Sequence, residues 1–218
     1  MSKATVRAII VVLILALAAM IAVSIWQNVQ HARYRARVDR AFISNVGDNL
    51  RLARRALHRF LDGLDDRRGD TWFIEETANR LRMVDTMLRL HYWVDYPAAS
   101  YPTDATWGPL SFEVFAGALG RGQYMIGGQP YDGVLRHADW TEGNYRFVRT
   151  LKEDLTELLE LMQCTDRIWQ IRADISTTEL NEMLENFFAK WNPYETQFNR
   201  FVWLPGRIEL LIEGRLVN

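Results

Sequence analysis

Seven aromatic side chains lie in or beside one stretch of the chain that is rich in glycine and proline. Residues 96–139 contain seven glycines and four prolines, which is too many for a long helix or a central strand. The aromatic residues are Trp93, Tyr96, Tyr101, Trp107, Tyr124, Tyr131 and Trp140, with the acids Asp95, Asp104, Asp132 and Asp139 among them. Aromatic rings provide a large contact area, and carboxylates form directional hydrogen bonds that orient a bound partner. This aromatic segment therefore predicts a surface that binds a protein partner or stacks on sugars. The alternative is that the rings only pack the segment onto the rest of the fold.

Motifs that would indicate an enzyme are missing from the sequence. It has no Gly-Lys-Ser/Thr phosphate loop, and Gly120-Arg121-Gly122 lacks the third glycine of a dinucleotide fingerprint. It also has no Gly-x-Ser-x-Gly elbow and no His-Glu-x-x-His zinc helix. His91 and Asp95 have a spacing that a metal could use, but a contact at a helix end explains them better. We therefore expect no metal and no cofactor and, at a formal net charge of −1, no nucleic-acid partner.

An apolar run near the N-terminus predicts a membrane anchor. The run extends from Ala8 to Trp26, contains Ser24 as its one polar residue, and as a helix has roughly the length of a bilayer hydrocarbon core. A cleaved signal peptide is the alternative, because Lys3 and Arg7 form a basic start. The run continues well beyond the small residues at which cleavage would occur, which favours an uncleaved, single-pass anchor.

Four arginines follow the anchor within reach of the head groups of the lipid bilayer. They are Arg33, Arg35, Arg37 and Arg40. Each is worth about 1 kcal/mol at an anionic surface, and by the positive-inside tendency they would place the following domain in the cytoplasm. Large domains are translocated largely regardless of charge, however, and the aromatic segment suits an outer surface. The sequence therefore favours a cytoplasmic N-terminus and an extracytoplasmic domain, with the cytoplasmic orientation as the alternative.

The chain beyond the anchor has mostly helical periodicity. Apolar residues recur every three or four positions from Val38 to Leu64, and Gly63 is a candidate end for that helix. A second helix is expected after Thr71, a short one at 111–119, a third at about 140 and a fourth after the capping box Ser176-Thr-Thr-Glu179. The last residues alternate weakly and fit either a strand or a short helix.

These patterns predict a mostly α fold. It comprises a single N-terminal transmembrane helix, an antiparallel bundle of about four helices, a long insertion rich in glycine, proline and aromatic residues, and a short C-terminal strand or helix. The predicted parts are a basic tail (1–7), the anchor (8–26), a long helix with the second bundle helix (27–95), the insertion (96–139), the third and fourth helices (140–192) and a C-terminal tail that packs on the bundle (193–218).

Charge is segregated along this predicted bundle. Residues 31–59 carry eight arginines and two aspartates, whereas residues 152–185 carry nine acids and three basic residues. Because charges beside the apolar stripes help helices choose their neighbours, we expect the basic first helix to lie against the acidic later ones.

The function favoured by the sequence is that of a non-enzymatic, single-pass protein that acts as a binding, sensor or accessory subunit through its aromatic segment. One alternative is an enzyme of the cell envelope that binds or hydrolyses polysaccharide with the aspartates of that segment. Another is a structural component of an oligomeric membrane assembly. The expected partners are the lipid bilayer and either another protein or further copies of the chain.

Overall fold

The computed structural model of the chain describes residues 3–65, 71–95, 111–121, 123–126, 129–136, 142–163, 170–191, 201–204, 207–212 and 215–216. As predicted, the described part is mostly helical and begins with one long, apolar helix. The helices are α1 (Lys3–Asp65), α2 (Trp72–Asp95), α3 (Phe112–Leu119), α4 (Glu142–Met162) and α5 (Thr177–Ala189), and a 3-10 turn covers Val134–Arg136. The chain divides into two compact units, Met1–Ala41 and Phe42–Asn218.

The first unit consists of the N-terminal part of α1. Its apolar side chains at Ile10 and from Leu13 to Trp26 are exposed, and Leu15 has 65% of its surface accessible. Within the described residues, α1 is the helix that has the length and apolar character needed to cross a membrane. A signal sequence near an N-terminus has the same two properties.

In the second unit, α1 and α2 pack side by side in opposite directions. The hydroxyl of Thr77 donates to the carbonyl oxygen of Ala53 at 3.4 Å, and the guanidinium of Arg59 lies 6.0 Å from the centre of the Phe73 ring. A later residue of α1 thus contacts an earlier residue of α2, which shows that the two helices run antiparallel. Five apolar residues of α1 that the periodicity assigns to one face are buried in this contact and the adjoining core: Val46, Leu50, Ala53, Leu57 and Phe60.

The ends of α1 and α2 only partly agree with the sequence prediction. The α1 helix continues through Gly63 to Asp65, so the prediction that Gly63 ends it is wrong. The reason is that glycine lowers helix stability without interrupting the hydrogen-bond ladder. At the start of α2, the carbonyl oxygen of Thr71 accepts from the amides of Ile74 and Glu75, in agreement with a helix that begins after Thr71.

The short helix α3 lies in the core of the second unit, and all of its residues except Glu113 are buried. The ring of Phe112 is 5.0 Å from that of Phe188 in α5, and the ring of Phe115 is 5.1 Å from that of Trp191 in an edge-on arrangement. Offset and edge-on ring pairs of this kind add about 0.5–1.5 kcal/mol beyond the burial of area. Helix α3 is thus held by aromatic contacts to α5.

Described residues of the connection between α4 and α5 form hydrogen bonds with the end of α4 and the start of α5. The backbone amide of Arg172 donates to the carbonyl oxygen of Met162 at 2.8 Å, the last residue of α4. The predicted capping box is present in part, since Ser176 Oγ accepts from the amide of Glu179 at 3.1 Å. This bond satisfies one of the free amides at the start of α5.

Two small antiparallel sheets complete the described backbone. Strand β1 (Gln123–Ile126) pairs with β2 (Gln129–Asp132). Near the C-terminus, β3 (Phe201–Leu204), β4 (Arg207–Ile212) and β5 (Arg215–Leu216) form a sheet in the order β3-β4-β5, and the backbone of β4 runs beside α4. Of the two interpretations that the sequence leaves open for the C-terminal residues, the structure has the strand.

Candidate functional site

The four arginines that follow the apolar run lie on α1 within the first unit, and their side chains are exposed. At about 100° per residue, Arg33, Arg37 and Arg40 fall within roughly 60° of each other on the helix circumference. Arg35 lies about 160° from Arg33, on the opposite side of the helix. The structure therefore divides the predicted basic cluster into a face of three arginines, hereafter the arginine face, and one separate arginine.

The arginine face continues towards the apolar run as a shallow groove. Trp26, Gln30, Arg33, Tyr34 and Arg37 line this groove. Trp26 and Tyr34 are well exposed, although both carry large apolar rings. Tryptophan and tyrosine are enriched where a membrane meets water, because their rings are apolar at one end and polar at the other. The groove therefore has the composition of a membrane–water boundary.

The structure brings together two of the seven aromatic residues that the sequence predicts as a binding surface. Tyr124 and Tyr131 are direct partners across the β1–β2 hairpin. Trp93 belongs to the last turn of α2. The other predicted aromatic residues, Tyr96, Tyr101, Trp107 and Trp140, lie outside the described residues. The hairpin backbone lies next to α3, so this part of the aromatic segment adjoins the core.

Sequence reasoning missed two buried carboxylates. The first is Asp85 of α2, whose side chain is 4% exposed. Its Oδ1 accepts a hydrogen bond from the backbone amide of Glu113 at 3.3 Å, and its Oδ2 lies 2.5 Å from Nε of Arg89. Ser111, the residue at the N-cap position of α3, makes no capping bond with its side chain. Asp85 therefore supplies from another helix the negative charge that the start of α3 favours.

The second buried carboxylate is Asp154 of α4, whose side chain is 1% exposed. Nζ of Lys190, just after α5, lies 3.7 Å from its Oδ1 and also contacts Glu157. A buried charge is tolerated when a partner of opposite sign is close. This contact links α4 to the end of α5.

A local signal could have identified both buried aspartates. Asp85 is flanked by Leu81 and Leu88, and Asp154 has apolar neighbours at the same offsets of three and four residues. Residues at these offsets share a helix face, so an acid between two buried leucines lies on the buried face itself. An acid at such a position needs a specific partner.

A third group of charges surrounds Arg172 in the connection between α4 and α5. Its guanidinium donates to the carbonyl oxygen of Leu161 at 3.1 Å, to both carboxylate oxygens of Asp174 and to Glu179. The hydrogen bond from Arg172 holds the pKa of Asp174 below its ordinary value, and Asp174 in turn raises the pKa of Arg172. One guanidinium therefore connects the C-terminus of α4 with the N-terminus of α5.

His91 serves packing in the described structure. Its ring stacks on Phe42 with the centroids 3.8 Å apart and the planes 6° from parallel. Within the described residues, no three histidine, cysteine or acidic side chains lie close enough to hold a metal ion together.

Charged side chains of α1, α4 and α5 have ion-pair partners within the described residues. Arg51 pairs with Asp48 one turn earlier in α1, Glu157 pairs with Lys190, and Glu179 pairs with Arg172. These contacts do not join the basic first helix to the acidic later helices. Exposed ion pairs are worth only about 0–1 kcal/mol each, which is too weak to determine the order of the helices.

Comparisons with known proteins add no functional information. No protein-family model, curated protein or solved structure matches the chain. The function is therefore inferred from the geometry of the chain itself.

Proposed function

We propose that this chain is a single-pass membrane protein in which a helical bundle, anchored by the N-terminal part of α1, acts as a binding, sensor or accessory subunit. The observation that carries the proposal is the contrast between two stretches of the same helix. Leu57 and its buried neighbours are covered by the second unit, whereas the large apolar side chains of Ile10 and of residues from Leu13 to Trp26 are at least half exposed.

The energetic cost of leaving that stretch in water is large. Full burial of one such side chain is worth about 1.5–3 kcal/mol, so ten of them at half exposure cost on the order of 10 kcal/mol. The exposed side chains are Ile10, Leu13, Ile14, Leu15, Leu17, Met20, Ile21, Val23, Ile25 and Trp26. They occur all round the helix, and an apolar surface on every side of a helix fits lipid better than one groove in a partner.

The arrangement of the buried acids supports a role other than catalysis. Asp85 is engaged by the α3 amide and by Arg89, and Asp154 lies near Lys190. A general acid or base needs access to a substrate. These carboxylates instead hold helices together, which leaves binding as the better supported activity of the second unit.

The aromatic segment is the proposed binding surface. Its support in the described backbone is the β1–β2 hairpin, which pairs Tyr124 with Tyr131 next to the buried helix α3. Tyrosine suits a binding surface, because its ring offers a large contact area at a low cost in conformational entropy.

The anchor is tested by extraction of membranes from cells that express the chain. We expect the full chain to stay in the pellet at alkaline carbonate pH and to be released by detergent. A variant without residues 1–26 should be soluble and retain its helical circular-dichroism spectrum. Recovery of a shortened chain without its first residues in the soluble fraction would show a cleaved signal instead.

Orientation is tested by labelling one cysteine in intact cells. Glu153 is exposed on α4, so Glu153→Cys in a Cys164→Ser background provides an accessible thiol. The extracytoplasmic domain that we propose predicts labelling by an impermeant maleimide before lysis. Labelling only after lysis would place the domain in the cytoplasm.

The binding surface is tested by photo-crosslinking in the native membrane. A benzophenone amino acid at Tyr131 should form one discrete adduct, because the residue lies on the proposed surface. The same group at Leu161, which is exposed on α4, serves as a control and should form none. Equal patterns at both positions would remove the aromatic segment as the site.

A further inference from the structure

We propose that the arginine face of α1 binds the phosphates of anionic lipids, with Arg33 as the main contact. This inference rests on the proposed membrane anchoring and adds a ligand class to it. It is carried by the grouping of Arg33, Arg37 and Arg40 on one exposed face next to Trp26.

Distance from the bilayer limits which arginines can act. If Trp26 marks the boundary of the hydrocarbon core, a rise of about 1.5 Å per residue places Arg33 roughly 10 Å beyond it and Arg40 roughly 21 Å beyond it. The head-group layer is only about 5–8 Å thick on each side. The Cα of Arg33 therefore lies just outside that layer, and the Cα of Arg40 lies well outside it.

The direction of helical side chains reduces these distances. Each Cα–Cβ bond of a helix is inclined towards the helix N-terminus, which here is the membrane side. The long side chain of Arg33 can therefore extend back to the phosphates, as arginines near membrane helix ends do. The Cα of Arg37 lies roughly 16 Å beyond Trp26, so Arg37 acts at longer range. Arg40 contributes mainly by attraction over a distance that salt screens within about 8–10 Å.

The chemistry of the face suits phosphate better than a neutral head group. A guanidinium can donate two parallel hydrogen bonds to phosphate oxygens, and the amide of Gln30 in the same groove is a further donor. The nearby acid Asp39 lies on the other side of the helix, four residues after Arg35. Residues four apart are neighbours on a helix, so Asp39 lies on the side of α1 that carries Arg35 and away from the arginine face.

The experiment measures lipid selectivity of the full chain reconstituted in phosphatidylcholine vesicles. Trace spin-labelled phosphatidylglycerol and phosphatidylcholine give the ratio of their association with the protein. We expect a ratio of several-fold for the natural chain and a ratio near 1 for Arg33→Gln/Arg37→Gln/Arg40→Gln. A single Arg33→Gln change should remove most of that preference, because about 1 kcal/mol for one basic residue corresponds to a factor of about five. Arg40→Gln should lower it less.

Two matched controls separate this site from general charge. Arg35→Gln changes an arginine at nearly the same depth but beside Asp39, and Arg55→Gln changes an exposed arginine of the second unit. Both should change the ratio less than Arg33→Gln, and circular dichroism should show that every variant is folded. Equal effects of Arg33→Gln and Arg35→Gln would overturn the proposal. A chain that alkaline carbonate extracts would refute the anchor as well, whereas an inserted chain with a natural ratio of 1 refutes the lipid site alone.

Discussion

The carboxylate of Asp85 in α2 accepts a hydrogen bond from the amide of Glu113 in α3, although the two residues are 28 positions apart. A helix of eight residues is too short to be stable by itself in water. Its N-terminus is therefore stabilised by a charge that another helix provides. Through this contact, α2 stabilises the N-terminus of the buried helix α3.

Replacement of Asp85 by alanine should destabilise the protein by about 2 kcal/mol. The change removes the capping bond to Glu113 and the partner of Arg89. Thermal unfolding of the detergent-solubilised chain, followed by circular dichroism, measures the effect. Asp62→Ala removes an exposed aspartate of α1 and should cost less than about 0.5 kcal/mol. Similar losses for both variants would show that Asp85 does not act as a cap.

Gly133 should not tolerate a side chain. A Cβ at this position would overlap the carbonyl oxygen of Gly120 and lie 2.6 Å from that of Gly117, and both atoms belong to the backbone. Relief requires the turn to move away from the C-terminus of α3, so Gly133→Ala should cost roughly 1–3 kcal/mol. Chemical denaturation in detergent with an unchanged m-value would measure it, and a loss below about 0.5 kcal/mol would contradict the close approach.

Gly47 provides a comparison for Gly133, because a Cβ added at Gly47 would contact a flexible side chain and not the backbone. A Cβ there would lie 2.5 Å from Cδ1 of Ile171. Gly47→Ala should therefore cost less than Gly133→Ala, because Ile171 can change rotamer and alanine favours a helix by about 1 kcal/mol. In an Ile171→Ala background the same change should be stabilising. If Gly47→Ala remains equally unfavourable in that background, Ile171 is not the obstacle.

Lys190 should stabilise the fold more through its contact with Asp154 than through its contact with Glu157. The Asp154 carboxylate is 1% exposed, whereas the Glu157 side chain is 61% exposed and well hydrated. Lys190→Gln leaves a buried charge with less compensation and should cost about 1–3 kcal/mol, while Glu157→Gln should cost less than about 1 kcal/mol. The ranking of the two unfolding midpoints is the test, and equal midpoints would contradict it.

Acidification should weaken the connection between α4 and α5. The pKa of Asp174 lies below its ordinary value of 3.8 because Arg172 hydrogen-bonds the ionised form. Its stabilising effect is therefore complete above about pH 4 and is lost as the pH falls through the lowered pKa. Asp174→Asn should lower the melting temperature at pH 6, and the difference from the natural chain should shrink below about pH 4. Glu182→Gln, an exposed acid on α5, should show no such convergence.

Periodicity predicted the buried face of α1 because a helix at the surface of a domain is covered on one side and concentrates its apolar residues there. Val46, Leu50 and Leu57 are accordingly buried. It could not predict the Asp85 contact with Glu113, because that bond depends on how α3 docks against α2. The end of α1 was missed for another reason, since one glycine costs a helix only about 1 kcal/mol and does not end it by itself.

The candidate site was predictable to a different extent in its two parts. The arginines after the apolar run follow from composition alone, while their division into a face of three and one opposite residue follows from the helical geometry of α1. The aromatic segment was predictable only as a composition. Its pairing of Tyr124 with Tyr131 depends on a hairpin register that the glycines between them leave open.

The burial of α3 changes how the middle of the chain should be treated in protein engineering. Residues 96–139 resemble a dispensable insertion, and shortening such a segment is a common way to obtain a smaller, more tractable domain. Here the excision would also remove Phe112 and Phe115, which fill the space beside α5. A chain shortened in this way would have a cavity in its hydrophobic core. The minimal folding unit must therefore retain this middle segment together with the helices on either side.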